Sequence, residues 1–318
     1  MRDRPKAALR SCLAPLHRRA ASAYVAGPRI DDALLACHTL EGRGRASTVG
    51  FWNQGTDEPS QVMLTCLAAV EALSRNGLDA YLSIKAPALG FSPVVLARLL
   101  ERTGSAGVRV HFDSLAPESA QRTLALIAEA AQRHDELGIT LPARWRRSLG
   151  DAKAAVELGI GVRVVKGQWP DLDAPDQDPR AGFLAIVDEL AGRACRVAVA
   201  THDEALAREA LRRLRGAGTP CELELLFGLP ATPATRAADE LSAPVRVYVP
   251  YGHATLPYRI GDARRDARIL AWLAQDLLRG GRKGWKELPY RLGPDALRLG
   301  LADGTSAAVP SGTRHARA

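Results

Sequence analysis

The chain contains no uninterrupted run of the ~18–20 apolar residues a helix needs to cross a bilayer. Its N-terminus, MRDRPKAALRSCLAPLHRRA, carries charge throughout and lacks the apolar centre of a secretory signal. Cysteine is scarce and scattered: Cys12, Cys37, Cys66, Cys195 and Cys221 are odd in number and never form CxxC. That argues against a disulfide framework or a cysteine-ligated zinc ion and suits a reducing cytoplasm. Histidines are few and mostly away from strand ends, so no metal site is expected. Aromatics make up 5% of the chain, and no segment resembles a nucleic-acid-binding module, so no nucleic-acid partner is expected. There is no GxSxG, no P-loop and no GxGxxG. A hydrolase nucleophile elbow, a Walker nucleotide site and a Rossmann fingerprint therefore all lack support.

What is present fits a soluble globular protein of one large or two average domains: 318 residues, 47% hydrophobic and 25% charged. The 43 Lys and Arg against 35 Asp and Glu give a net charge of +8. Such a surface suits an anionic cofactor or peripheral contact with anionic lipid. Its even spread also fits arginines that simply solvate helix faces.

Short β-like runs alternate with amphipathic helical stretches. Strands are expected at 46–51, 79–84, 107–113, 137–141, 161–166, 195–200, 221–226 and 245–250. Helices are expected between them at 58–76, 92–103, 118–136, 148–159, 179–192, 203–216 and 232–241, with a last one at 262–278. This rhythm predicts an α/β fold, a parallel (β/α)8 barrel of the TIM type. Two further helices are expected ahead of it, at 4–23 and 29–42, and a short tail behind. The organisation reads as an N-terminal helical segment over 1–44, the barrel over 45–280, and a partly disordered extension over 281–318.

In this fold the active site gathers at the C-terminal strand ends. Asn53, Lys85, Asp113, Arg144, Arg163, Lys166, Thr201, His202, Asp203, Glu224, Tyr248 and Tyr251 all stand at or near those ends. Lys85 and Asp113, from consecutive strands, read either as a barrel salt bridge or as an anion-binding lysine with its aspartate brace. Arg163 lies among Val162, Val164 and Val165, where a charge is costly unless a carboxylate or a ligand satisfies it. Gly167 after Lys166 permits a sharp turn and a close approach by a flat or phosphorylated ligand. Thr201 and Asp203 are candidate helix caps. His202 is not needed for that purpose.

The segments YLSIK (81–85), VHFD (110–113), VRVVKG (162–167), ATHD (200–203), LLFG (225–228) and RVYVPYG (246–252) together resemble the proline dehydrogenase family. The resemblance runs from about residue 22 to 278. It implies a distorted barrel that holds FAD without a Rossmann domain. It also implies oxidation of L-proline to Δ1-pyrroline-5-carboxylate, with electrons passed to a quinone or another acceptor. On this resemblance Arg163 looks like the arginine beside flavin N5. Lys166, Thr201 and His202 look like further FAD contacts, with Gly167, Glu224 and Leu226 on the same cofactor side. Lys85 and Asp113 look like the substrate-side pair, and Tyr248 and Tyr258 like tyrosines closing over the substrate.

The sequence departs from the family in its last helix, where the family reads Y-x-x-R-R-x-x-E and clamps the proline carboxylate with two arginines. Here Tyr258 is followed by Gly261-Asp262 and Arg264-Arg265. Loss of a bidentate clamp would cost roughly 2–4 kcal/mol of substrate binding. Arg265, two turns from Tyr258, or Arg144 could restore a cation. Asn53 stands where many relatives have glutamate, and Phe227 where tyrosine is common. A divergent proline dehydrogenase, a flavoenzyme for another cyclic or secondary amine or a carrier-bound prolyl group, and a non-catalytic barrel all remain open at this point.

Overall fold

The computed structural model describes residues 24–171 and 178–253. Helix α1 (Ile30–Glu41) precedes strand β1 (Ala46–Trp52). Then α2 (Pro59–Asn76), β2 (Ala80–Ile84), α3 (Pro93–Ala106), β3 (Val110–Phe112) and α4 (Ala120–Ala131) alternate. They continue through β4 (Leu137–Pro142), α5 (Ser148–Glu157), β5 (Gly161–Val165) and α6 (Pro179–Leu190). The series ends with β6 (Val197–Ala200), α7 (Glu204–Gly216), β7 (Cys221–Leu226), α8 (Thr232–Glu240) and β8 (Val245–Gly252). The eight strands form one closed barrel in sequence order, with β8 pairing parallel to β1. This is the expected (β/α)8 architecture. The helix expected at 29–42 is α1, while those at 4–23 and 262–278, and the tail, lie outside the described residues. The helix expected at 118–136 is shorter: a 3-10 turn at Pro117–Ser119 leads into α4, which stops at Ala131.

Helix starts follow local chemistry. Proline occupies the first turn of α2, α3, α6 and α8, where its missing N–H costs nothing. Ser92, Asp178 and Asp203 cap α3, α6 and α7 through their side-chain oxygens. Among the described residues, no helix is long and apolar enough to cross a membrane.

Strand alternation divides the barrel into two environments. Val162, Val164, Val197, Val199, Val247 and Val249 are buried with the helices in one apolar cluster. Each such side chain contributes roughly 1.5–3 kcal/mol on burial. The intervening residues face the lumen and are unusually polar: Thr48, Ser83, His111, Thr140, Arg163 and Glu224 are all buried. Two glycines make room for them. A Cβ on Gly50 would run into the Tyr248 hydroxyl, and one on Gly138 into the His111 ring.

The N-terminal end of the lumen is filled by a second charged group. Arg246 donates Nε–H to Glu222 at 2.9 and 3.0 Å and Nη1–H to the Ser47 carbonyl at 2.7 Å. It reaches Asp79 at 3.1 Å through Nη2 and stacks 3.8 Å from the Tyr81 ring centroid. Arg109 and Arg196 flank the same ring at 4.5 and 5.3 Å. Burial opposes charge on both partners, raising the Glu222 carboxyl, yet the carboxylates outweigh burial at Arg246 and keep its pKa raised. Removing one member leaves an uncompensated buried charge. Arg246→Ala is therefore expected to lower unfolding free energy by about 3–5 kcal/mol, and the paired Arg246→Met, Glu222→Leu variant to recover most of it in urea denaturation.

Candidate active site

Arg163 sits at the centre of the barrel because β5 turns that one residue inward between two outward valines. Its register neighbours are Thr140 on β4 and Ala198 on β6. Its Nε–H donates to Glu224 Oε2 at 2.6 Å, and its Nη1–H to Asp113 Oδ1 at 2.9 Å. Thr140 and Ser83 hydroxyls stand 3.3 and 3.4 Å from Nη1. Nη2 is buried with no hydrogen-bond partner among the described residues. Burial works against the guanidinium charge, but Glu224 and then Asp113 outweigh it and hold the pKa above its ordinary value.

The carboxylates are themselves fixed. Thr48 donates its hydroxyl to Glu224 Oε1 at 2.9 Å across the barrel. Ser83 donates to Asp113 Oδ1 at 2.6 Å, and the Tyr248 hydroxyl to Asp113 Oδ2 at 2.7 Å. Lys85 Nζ lies 3.7 Å from Asp113 Oδ2 and donates to the Phe51 carbonyl at 2.8 Å. Burial lowers the Lys85 pKa, with Asp113 opposing. Burial and then the Asp113 charge push the Tyr248 phenol well up, so it is a hydrogen-bond donor at neutral pH. His111 pairs with Thr140 at 3.0 Å, and burial followed by the Arg163 charge keeps its imidazole well below the usual pKa.

Above this layer, loops after β4, β5, β6 and β7 form a rim. Lys166 Nζ is 3.3 Å from Asp203 Oδ2, while Asp203 Oδ1 caps α7 at Leu206 N–H. Thr201 Oγ1 accepts the Asp203 N–H at 3.2 Å. Gly167 has φ of +89°, which only glycine adopts without strain. A Cβ there would meet Pro142. Arg144 Nη1 donates to the Gln168 carbonyl at 3.1 Å, and the Trp145 indole to the Trp169 carbonyl at 2.9 Å. The loop after β4 thus clasps the loop after β5. Asn53 donates to the neighbouring Gln54 carbonyl. Tyr251 instead packs against Phe51, with ring centroids 5.4 Å apart.

The structure therefore brings Asp113, Arg163, Glu224 and Tyr248 into one hydrogen-bonded cluster, with Lys85 ion-paired to it through Asp113. Lys166, Gly167, Thr201, His202 and Leu226 stand on the rim. Tyr258, Gly261, Asp262, Arg264 and Arg265 lie outside the described residues. Sequence reasoning missed Thr48, Ser83, His111 and Thr140. Their signal was parity, because each is a polar residue at the inward phase of an otherwise apolar strand. Among the described residues, no three His, Cys, Asp or Glu side chains gather to hold a metal ion.

His202 braces the rim. Its Nε2 accepts the Leu226 backbone N–H at 2.9 Å, and its Nδ1 lies 2.8 Å from the Pro230 carbonyl. Nδ1 is therefore the protonated nitrogen of a neutral ring. Burial lowers its pKa from 6.5 to about 4, against the opposing Pro230 carbonyl. The unfolded imidazole gains a proton below pH 6.5 while the folded one resists to about 4, so acidification across that interval favours unfolding. Wild-type protein is expected to lose roughly 1–3 kcal/mol more than a His202→Gln variant across this interval, measured by urea unfolding at each pH.

No protein-family model matches the chain. It is 26% identical over 253 residues to proline dehydrogenase 1 of Bacillus subtilis strain 168, covering 74% of this chain and 83% of that protein. It is 27% identical over 290 residues to proline dehydrogenase of Deinococcus radiodurans, covering 82% and 90% respectively. Among solved structures it resembles proline utilization A from Bdellovibrio bacteriovorus, inactivated by N-propargylglycine, with a TM-score of 0.67 and 18% identity. That match covers 90% of this chain but 34% of the other, so the chain spans about a third of the solved protein's length. A similar match, TM-score 0.59 at 19% identity over 83% of this chain and 32% of the other, is to proline utilization A from Corynebacterium freiburgense. Over most of its length the chain is thus similar in sequence to curated proline dehydrogenases, and its barrel shares the fold of the solved proline utilization A proteins.

Proposed function

We propose that the protein is an FAD-dependent oxidoreductase that oxidises the CH–NH bond of L-proline to give Δ1-pyrroline-5-carboxylate. A quinone or another acceptor would take the electrons. The observation that carries the cofactor assignment is the buried Nη2 of Arg163, a charged donor in the lumen with no partner among the described residues. A buried guanidinium N–H left without an acceptor is costly, and a ligand acceptor would relieve that cost. A flavin ring edge offers such an acceptor, so the residues fit the cofactor. Gly167, Thr201, Lys166 and the backbone held by His202 would bound its remainder on the rim. Bound FAD, held by Arg163 and these rim residues, would supply the two-electron hydride acceptor for oxidation of the substrate C–N bond.

The protein's own work is orientation and electrostatics. Asp113 is held by Ser83, Tyr248 and Arg163, so it has little freedom to follow a ligand. Lys85, fixed on the Phe51 carbonyl beside it, presents a cation to the substrate side. The substrate amine must lose its ammonium proton before oxidation, to water or to a neighbouring carboxylate. A second reading rests on Gly261-Asp262, which stand in place of the family's arginine pair. Here the substrate is another cyclic or secondary amine, or a carrier-bound prolyl group, whose recognition does not depend on that clamp.

Anaerobic mixing of FAD-loaded protein with L-proline is expected to bleach the oxidised flavin band near ~450 nm. An unchanged spectrum with FAD bound would move the assignment to the second reading. Failure to take up FAD would end the flavoenzyme reading. Arg163→Ala is expected to slow flavin reduction about 100-fold in stopped-flow mixing, the scale of losing one preorganised charge-stabilising donor.

A further inference from the structure

Arg163 and Lys85 supply two positive charges to the lumen, and Asp113 and Glu224 two negative ones, so the cluster is balanced. The two carboxylates are not equivalent. Asp113 is shared among Arg163, Lys85, Ser83 and Tyr248. Glu224 is 3% exposed and has Arg163 as its ion-pair partner at 2.6 Å, with Thr48 orienting its other oxygen. At that depth the attraction between Glu224 and Arg163 is only weakly screened by water.

We propose that Glu224 is a positioning residue that sets how strongly the site favours negative charge on its ligand. Its carboxylate acts in two ways through Arg163. By taking the Nε–H it fixes the plane of the guanidinium, leaving Nη2 as the donor available to a ligand. By cancelling the guanidinium charge it makes that donor directional without leaving a net cation in the lumen. A group docked on Nη2 is thus oriented by a strong hydrogen bond, but its reduced, more negative form gains less than it would beside an unpaired arginine. This inference rests on the flavin reading above, under which Glu224 holds the flavin potential down.

The test is an anaerobic redox titration of the full-length, FAD-loaded protein against a reference dye. Glu224→Gln keeps the side-chain shape and an oxygen for the Arg163 Nε–H, but removes the charge. It is expected to retain FAD and to shift the reduction equilibrium at least tenfold toward reduced flavin. That shift is about 30 mV for a two-electron couple. Thr48→Val, which keeps the Glu224 charge and removes one of its hydrogen bonds, is expected to move the potential far less. A purely structural role for Glu224 would move stability and leave the potential where it was. Should Glu224→Gln fail to fold, Glu224→Asp draws the charge back from Nε and is expected to raise the potential in the same direction by less. FAD retained with the potential unmoved in whichever of the two variants folds would overturn the proposal and leave the flavin reading standing. Wild-type protein that takes up no FAD would bring down the flavin reading and this proposal with it.

Discussion

A guanidinium buried at the centre of a closed barrel must be answered by charge, and the arrangement of the lumen follows from that requirement. Removing Arg163 from water is affordable only because Glu224 and Asp113 reach it from β7 and the end of β3. Each carboxylate then needs its own partners. Thr48, Ser83, Tyr248 and Lys85 supply them from the strands β1, β2 and β8 and from the residue following β2. With Thr140 on β4 also within reach of Nη1, seven of the eight strands are tied through one arginine. Gly50 and Gly138 lie on the same layer, because the Tyr248 and His111 rings require their missing side chains.

The architecture was legible in the sequence because parallel barrel strands are buried on their outer face and flanked by chain reversals. VRVV, VAVA and VYVP announce themselves as strands whichever way their side chains point. Where helix composition ran past its element, local propensity misled. Gln132, Arg133 and Glu136 are good helix formers, yet the chain must turn there to start β4 at Leu137. The candidate site was legible residue by residue but not pair by pair. Arg163 was expected to need a carboxylate or a ligand, and two carboxylates meet it. That Glu224 is one of them could not be read, because 61 residues separate the two on strands that are not neighbours. Pairing of both strands to β6, with both side chains turned into the lumen, brings them together. His202 shows the same limit at the rim: both its ring nitrogens engage backbone groups more than twenty residues away, which no side-chain pattern encodes.

The two charged layers of the lumen differ in how fully their donors are satisfied despite similar composition. In the lower layer, the Arg246 ion pair is saturated by Glu222, Asp79 and the Ser47 carbonyl, and by stacking on Tyr81. In the upper layer, Arg163 is gripped at two nitrogens, with the third left over among the described residues. A buried ion pair with every donor used reads as scaffold, and the one with a donor to spare is where the proposed cofactor contact lies.

The lower layer also determines how molecules move. Tyr81, Glu222 and Arg246 are each less than a tenth exposed and fill the N-terminal end of the lumen. Among the described residues the lumen is thus closed by side chains at its N-terminal end, opposite the rim of loops. On the proposed function, a substrate docked beside Arg163 would leave by the path it entered, and an electron acceptor would approach from the same end. Such a geometry favours turns taken in sequence, with one partner leaving before the next arrives. It also makes the clasp between the β4 and β5 loops a doorframe as much as a binding surface.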